Sequence, residues 1–468
     1  MEISSQRRSF PFWVASVLLL ALLVRVLAAF YWHSTLDSAG ERFRFGDSET
    51  YWVLAEKLCA GETYQYASVD SRAFRAPGYP LFLAATIFFS QLLGGLDSVL
   101  VARLAGCVVG VTTIAMLMAA TFVLAKRYPS DGRFAEIASL SCGILAALYL
   151  GGVGMSIFIL SEAVFCPLMI LSLIAWNRSQ DAATRSRCFA LATISGFATG
   201  AACLCRPSWL LWPGLLALIC FLQWLSLKKQ ASDSRLVQSL VSLSMFTMGM
   251  IIIMSPWWIR NYQVFHAFVP TTLQVGASLY DGLHEGATGA SDEGMRFTLQ
   301  TENELREFDR RWHAENDTLI ANQNGDLSPK RLVPFEIRLN QALFSKAISW
   351  ARENPYATGK LALIKFVKMW TPWPTAKEIG GFWVRLVEAI GYLTIGLLAI
   401  IGLSKMDPMI RFPAIIYASP VLYYAVLHTI FVGSVRYRQP AILALTIVAG
   451  IGAAWMLNQI ESIRKRQD

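Results

Sequence analysis

The chain has 468 residues, 55% of them hydrophobic and 16% charged, with a formal net charge of +9. A mean hydropathy of +0.45 excludes a soluble globular domain, in which about a quarter of the residues carry charge. Repeated apolar runs of about 18 to 25 residues define an all-α polytopic membrane protein instead. The excess of Lys and Arg then belongs to basic loops on one membrane face and does not speak for nucleic-acid binding.

In chain order, Arg7 and Arg8 precede a first run from about Pro11 to Trp32. It is long enough to cross a bilayer and lacks a small-residue cleavage site, which predicts a retained span with the N-terminus inside. The loop from about His33 to Ala76 therefore lies outside. It carries the acidic stretch Phe45-Gly46-Asp47-Ser48-Glu49-Thr50-Tyr51-Trp52 and then Arg75-Ala76-Pro77-Gly78-Tyr79-Pro80. The next apolar run, from Pro80 to Leu93, has about 14 residues and rises roughly 21 Å, against the roughly 30 Å of a hydrocarbon core. It is predicted to be a juxtamembrane or re-entrant helix on the outer face.

Further apolar runs pair as 134–153 with 159–176, 188–204 with 208–227, and 411–430 with 440–458, with single crossings at 99–125, 236–258 and 382–403. Basic clusters recur between them at Lys126/Arg127/Arg133, Arg178/Arg185/Arg187, Lys228/Lys229/Arg235, Lys405/Arg411 and Arg464/Lys465/Arg466. The pattern gives about ten spans with both termini inside. It divides the chain into an N-terminal transmembrane module 1–258 that includes the outer loop 33–98, an outer segment 259–380, and C-terminal transmembrane helices 381–468. In the outer segment, Thr301 to His313 and Leu332 to Ala351 read as amphipathic helices. Lys360 to Trp373 reads as a helix lying in the membrane surface.

Of the eight cysteines, all but Cys59 fall inside apolar runs, where a thiol behaves as a small hydrophobe, and they form no disulfide framework. Asp281, His284 and Glu285, with His266 nearby, admit a divalent metal, but their spacing matches no recognised site and a polar loop is the simpler reading. No cofactor follows from the sequence. No phosphate-cradling glycine motif follows a strand, which argues against a cytosolic nucleotide-sugar donor.

The outer face gathers charge of both signs: the Asp47 loop, Ser161-Glu162 at a span entrance, and Val435-Arg436-Tyr437-Arg438. Ionisable groups so placed on a membrane protein are a functional site by default. Asp47 is equally suited to cap the helix that follows it, and Glu49 to be a solvated acid of its first turn. Arg436 and Arg438 suit a lipid phosphate or ordinary headgroups, and Tyr79, Tyr262 and Tyr437 suit a sugar or an interfacial aromatic belt.

These residues, with Leu160-Ser161-Glu162, Cys205-Arg206-Pro207, Pro256-Trp257-Trp258-Ile259-Arg260-Asn261-Tyr262 and Arg436-Tyr437-Arg438-Gln439-Pro440, resemble the multispanning glycosyltransferases of the C-type fold. The likeness is to the bacterial relatives of protein O-mannosyltransferases and lipid A aminoarabinose transferases, and it extends to about residue 458. One departure is the serine between Asp47 and Glu49, where mannosyltransferases of the group usually have adjacent Asp and Glu. The resemblance implies a C-type helical bundle in the cell inner membrane that transfers a hexosyl or pentosyl group from a polyprenyl-phosphate-linked donor to a lipid, protein or glycan acceptor on the periplasmic face. Asp47 would be the general base, with Glu49 beside it. Arg75, Tyr79, Glu162, Arg260, Tyr262, Arg436, Tyr437 and Arg438 would bind substrate. The rival reading is a secondary transporter or lipid-linked glycan flippase. Against it, the halves show no obvious repeat and most ionisable residues lie at the outer face, with Arg25 and Arg103 as exceptions.

Overall fold

The computed structural model describes the chain except residues 1, 69, 129–131, 228–232, 293–294, 322–331, 375–380 and 468. Lys228 and Lys229, which entered the charge argument for topology, lie outside the described residues, as do the side chains of Arg7 and Arg8. Among the described residues every regular element is helical.

The helix α1 (Glu2–Ser38) shows how the sequence solves burial in a lipid solvent. Leu19, Leu23, Leu27 and Tyr31 recur every four residues on its exposed face, whereas Val17, Ala21, Arg25 and Ala29 form the buried one. Small and polar residues face protein and large apolar ones face outward, as expected where lipid is as apolar as leucine. Arg25 on that buried face is 1% exposed. Its guanidinium donates to the carbonyls of Ala21, Ala146 and Ala147 and to Ser156 Oγ.

Those carbonyls explain a difference from the expected span 134–153. The run is two helices, α5 (Gly132–Leu148) and α6 (Leu150–Ile157), bent by 60° at Tyr149. The break leaves carbonyls of the last turn of α5 without helical partners. Arg25 supplies donors to two of them, the condition under which a broken helix is tolerated at membrane depth.

Between α1 and α5 lie α2 (Gly46–Cys59), α3 (Gly78–Leu92) and α4 (Ser98–Ala125). At 15 residues, α3 rises about 22 Å and stays short of a bilayer core. After α6 come α7 (Glu162–Gln180), α8 (Arg185–Cys205), α9 (Trp212–Leu227) and α10 (Asp233–Phe265). The next four helices form the polar segment: α11 (Val275–Gly282), α12 (Leu299–Ala321), α13 (Phe335–Glu353) and α14 (Pro355–Trp370). The chain ends with α15 (Phe382–Ser404), α16 (Pro408–Ile430) and α17 (Val435–Gln467).

Among the described residues eight helices are long and apolar enough to cross a membrane, nine if the bent pair counts as one span. The further crossing expected at 159–176 corresponds to α7. Its polar ends, Glu162 on one side and Asn177 with Arg178 on the other, dilute its apolar character. The most enclosed helix is α17, which packs against α4, α5, α15 and α16 and buries Ala441, Ala444, Ile447, Val448, Ile451 and Ala454.

Candidate active site

The site forms where α2, α7, α8 and α17 end near one another. Phe45 is extended (φ −110°, ψ 134°), and α2 starts at Gly46 with Asp47 in its first turn. The capping alternative for Asp47 does not apply, because no side chain caps this helix. Its two oxygens turn to arginines instead: Oδ1 lies 2.5 Å from Arg75 Nη2 and Oδ2 lies 2.7 Å from Arg436 Nη1. The Asp47 side chain remains 33% exposed. Burial alone would raise its carboxyl, but the opposing guanidiniums of Arg75 and Arg436 hold it well below the usual carboxylate range.

Arg75 comes from the loop between α2 and α3. Those helices pack through Tyr51, Trp52 and Ala55 on one and Tyr79, Leu83 and Ile87 on the other. The Arg75 guanidinium also donates to Thr50 Oγ1 and Gln274 Oε1 at 3.2 and 2.9 Å. Arg436 lies in the first turn of α17 and takes both oxygens of Glu162, Nε to Oε1 at 2.6 Å and Nη2 to Oε2 at 3.1 Å. Glu162, the first residue of α7, is only 1% exposed, and its Oε1 also faces Arg206 Nη1 at 2.7 Å. Arg206 closes α8 in an extended conformation (φ −142°, ψ 99°), as the residue before a proline favours.

The result is a chain of five charges, Arg75–Asp47–Arg436–Glu162–Arg206. Three guanidiniums face two carboxylates, so the cluster holds one surplus positive charge. That surplus, together with the partly open Asp47, fits an anion better than a cation.

The other sequence candidates are placed differently. Glu49 is exposed beside Asp47. Tyr79 is buried, its ring edge-on to Tyr51 at 5.1 Å, and belongs to the packing under the site. Tyr437 stacks on His428 at 4.4 Å, with the Arg206 guanidinium 5.3 Å from its ring. Tyr262 is 61% exposed near the end of α10. Arg260 and Arg438 are not brought to the charge chain. Arg260 donates to the carbonyls of Arg72 and Tyr64, and Arg438 to that of Met369 in the last turn of α14 and to those of Thr371 and Pro372 just past it. Gln274 joins the site with no signal in the sequence, whereas Arg206 is marked there both by the Cys205-Arg206-Pro207 motif and by its place at the outer turn between the runs 188–204 and 208–227, a weaker candidate than Arg436 for a phosphate.

Asp281 accepts from Ser291 Oγ and the Asp292 N–H, while His284 Nδ1 faces the Glu285 carbonyl. Among the described residues no three His, Cys, Asp or Glu side chains converge on a common point.

No protein-family model matches the chain, and no curated protein sequence does. Its architecture is that of the C-type fold of integral membrane glycosyltransferases. It is similar to an archaeal oligosaccharyltransferase, AglB from Archaeoglobus fulgidus, solved with an inhibitory peptide and a dolichol-phosphate. The TM-score is 0.55 at 14% identity, over 98% of this chain and 52% of that one. A second oligosaccharyltransferase structure from the same organism, in the apo form, gives 0.53 at 14% identity over 97% and 52%. ArnT from Cupriavidus metallidurans bound to undecaprenyl phosphate gives 0.37 at 15% identity over 92% and 77%. The chain spans about half the length of the archaeal enzymes.

Proposed function

We propose that the chain is a glycosyltransferase of the inner membrane that moves a sugar from a polyprenyl-phosphate carrier to an acceptor on the periplasmic face. The observation that carries this reading is Arg436 bridging Asp47 and Glu162, with Arg75 and Arg206 completing the line. A reachable carboxylate beside a positive surplus is what the two halves of the reaction require. The fold is shared with an oligosaccharyltransferase solved with a dolichol-phosphate, which supports a lipid phosphate as the anion.

In this mechanism Asp47 accepts the proton of the acceptor hydroxyl as its oxygen attacks the anomeric carbon. The bond from that carbon to the phosphate oxygen breaks, and the sugar passes over with inversion. The lipid phosphate leaves with the bonding pair, and Arg436 and Arg75 meet its growing charge. Glu162 is too enclosed to meet an acceptor and serves to orient Arg436 and Arg206.

The ion pairs also give an order of events. With both oxygens on guanidiniums, Asp47 is a weak base. A phosphate drawn to Arg436 and Arg75 competes for the same cations, loosens their hold and raises the basicity of Asp47. The base is thus armed when the donor is in place.

The test uses purified protein in nanodiscs, a panel of polyprenyl-phosphate sugars and membrane extract as acceptor, with free polyprenyl phosphate quantified. Release by wild type and not by a folded Asp47→Asn variant is expected. No release from any donor by the folded wild type would favour the transporter instead.

A further inference from the structure

The loop that delivers Arg75 has little regular structure of its own, yet its backbone at Arg72 and Ala73 is fully engaged. Glu336, in the first turn of α13, accepts the Arg72 N–H at 2.8 Å and the Ala73 N–H at 3.1 Å. On the carbonyl side Arg260 Nη1 donates to Arg72 O at 2.9 Å, and the Leu273 N–H donates to Ala73 O at 3.0 Å. Two residues further on, Arg75 reaches Asp47. Tyr64, whose own carbonyl is held by Arg260 Nη2, donates its hydroxyl to Arg75 O at 3.1 Å.

We propose that Glu336 is a positioning residue: it clamps the Arg72–Ala73 backbone of the α2–α3 loop to the polar segment and thereby sets the reach of Arg75 to Asp47 and the lipid phosphate. Its readout in turnover rests on the transferase reading above. Glu336 is 8% exposed, and its oxygens are spent on backbone amides of a segment 263 and 264 residues away in sequence. A buried carboxyl normally resists that environment unless the bonds it makes compensate for lost hydration. Burial pushes this one up to about 7, against the two amides and Arg260, which pull it down, while Asp70 adds to the rise. An uncharged acceptor of the same shape therefore suits the clamp, so glutamine should serve where alanine fails.

The experiment compares wild type, Glu336→Gln and Glu336→Ala in nanodiscs by donor turnover and by hydrogen exchange of loop 60–77. In Glu336→Ala, loop amides should exchange about tenfold faster or more while α13 stays protected. Its kcat should fall roughly tenfold to a hundredfold, the range expected for losing bonds to a carboxylate, with the donor KM changed less than about threefold. Glu336→Gln should restore most of the rate. In an Arg75→Ala background Glu336→Ala should cost nothing further, because the clamp acts through Arg75. Additive losses, or faster loop exchange with kcat unchanged, would overturn the positioning role while leaving the transferase reading intact. If the wild type turns over no donor, the transferase reading falls and exchange alone decides. Unchanged exchange at 60–77 in Glu336→Ala then disproves the clamp, and faster exchange sustains it.

Discussion

Arg436 ties Asp47 to Glu162: Nη1 stands 2.7 Å from Asp47 Oδ2, and Nε stands 2.6 Å from Glu162 Oε1. The two acids share a cation but not an environment. Asp47 keeps 33% of its side chain exposed and Glu162 keeps 1%, so a substrate reaches the first and not the second.

Asp47→Asn therefore removes the proposed base while preserving shape. Turnover of a polyprenyl-phosphate sugar should fall about 10²- to 10⁴-fold, the usual contribution of a positioned base, with the helix content of α2 unchanged by circular dichroism. Glu49→Gln, on an exposed side chain, should stay within about threefold of wild type, since surface substitutions away from special features cost little. Equal losses for the two variants would assign the proton to Glu49 as much as to Asp47.

The same ion pairs predict a split between two pH profiles. In the free protein Asp47 is held below the ordinary carboxylate range, so it stays ionised down to unusually low pH. The acid limb of kcat/KM, which reports the free enzyme, should lie below about pH 4, the ordinary value of an aspartate carboxyl. Once the donor phosphate occupies Arg436 and Arg75, the opposing charge is shared and the Asp47 carboxyl rises. The acid limb of kcat should then sit at higher pH than that of kcat/KM. A kcat that stays as flat as kcat/KM in profiles recorded from pH 3.5 to 8 would sink the idea that the donor arms the base. The depressed carboxyl also contributes folding stability that is present above about pH 4 and lost as the pH falls through its lower folded value.

Glu162→Gln tests the enclosed end of the chain. The change leaves Arg206, 10% exposed, without its carboxylate, and leaves Arg436 to Asp47 alone. Removing one partner of a buried pair costs about 3–5 kcal/mol because the remaining charge is uncompensated. A clear fall in the melting temperature of the detergent-solubilised protein is expected, together with loss of activity. Asp47→Asn should move the melting temperature far less, its pair being open to solvent. A melting temperature unchanged by Glu162→Gln would mean that Glu162 bears little of the cluster's stability.

The crossing helices are legible in the sequence because a lipid solvent imposes length and apolarity directly. The bend at Tyr149 is not, because the run 134–157 stays apolar through it and the break is visible only in the partners that Arg25 supplies to α5. At the site, Asp47 and Arg75 stand out as charges of the first outer loop, and Glu162 and Arg436 as charges at span entrances. Arg260 and Arg438 stand out in the same way, yet their guanidiniums serve backbone carbonyls. A guanidinium has five donors and satisfies a carbonyl as readily as a phosphate, and no sequence pattern separates the two uses. Gln274 and Glu336 come from a segment some 200 residues or more from the loop they hold. Nothing local to either one predicts the contact.

The approach of α3 to α8 gives the last prediction. A Cβ placed on Gly78 would stand 2.8 Å from the backbone carbon and oxygen of Leu204 and 2.8 Å from Cys205 Sγ. Two of those three atoms are backbone and cannot swing aside. Gly78 follows Arg75 by three residues and Leu204 precedes Arg206 by two, so this contact sets the distance between both ends of the charge chain. Gly78→Ala should push α3 off α8 and lower turnover at least tenfold, through a shift of about 1 Å in the catalytic groups. Cys205→Ala removes one of the clashing atoms and should recover only part of the loss, because the Leu204 backbone still obstructs. Wild-type turnover in Gly78→Ala would show that the spacing of these two helix ends is free to relax without consequence for the reaction.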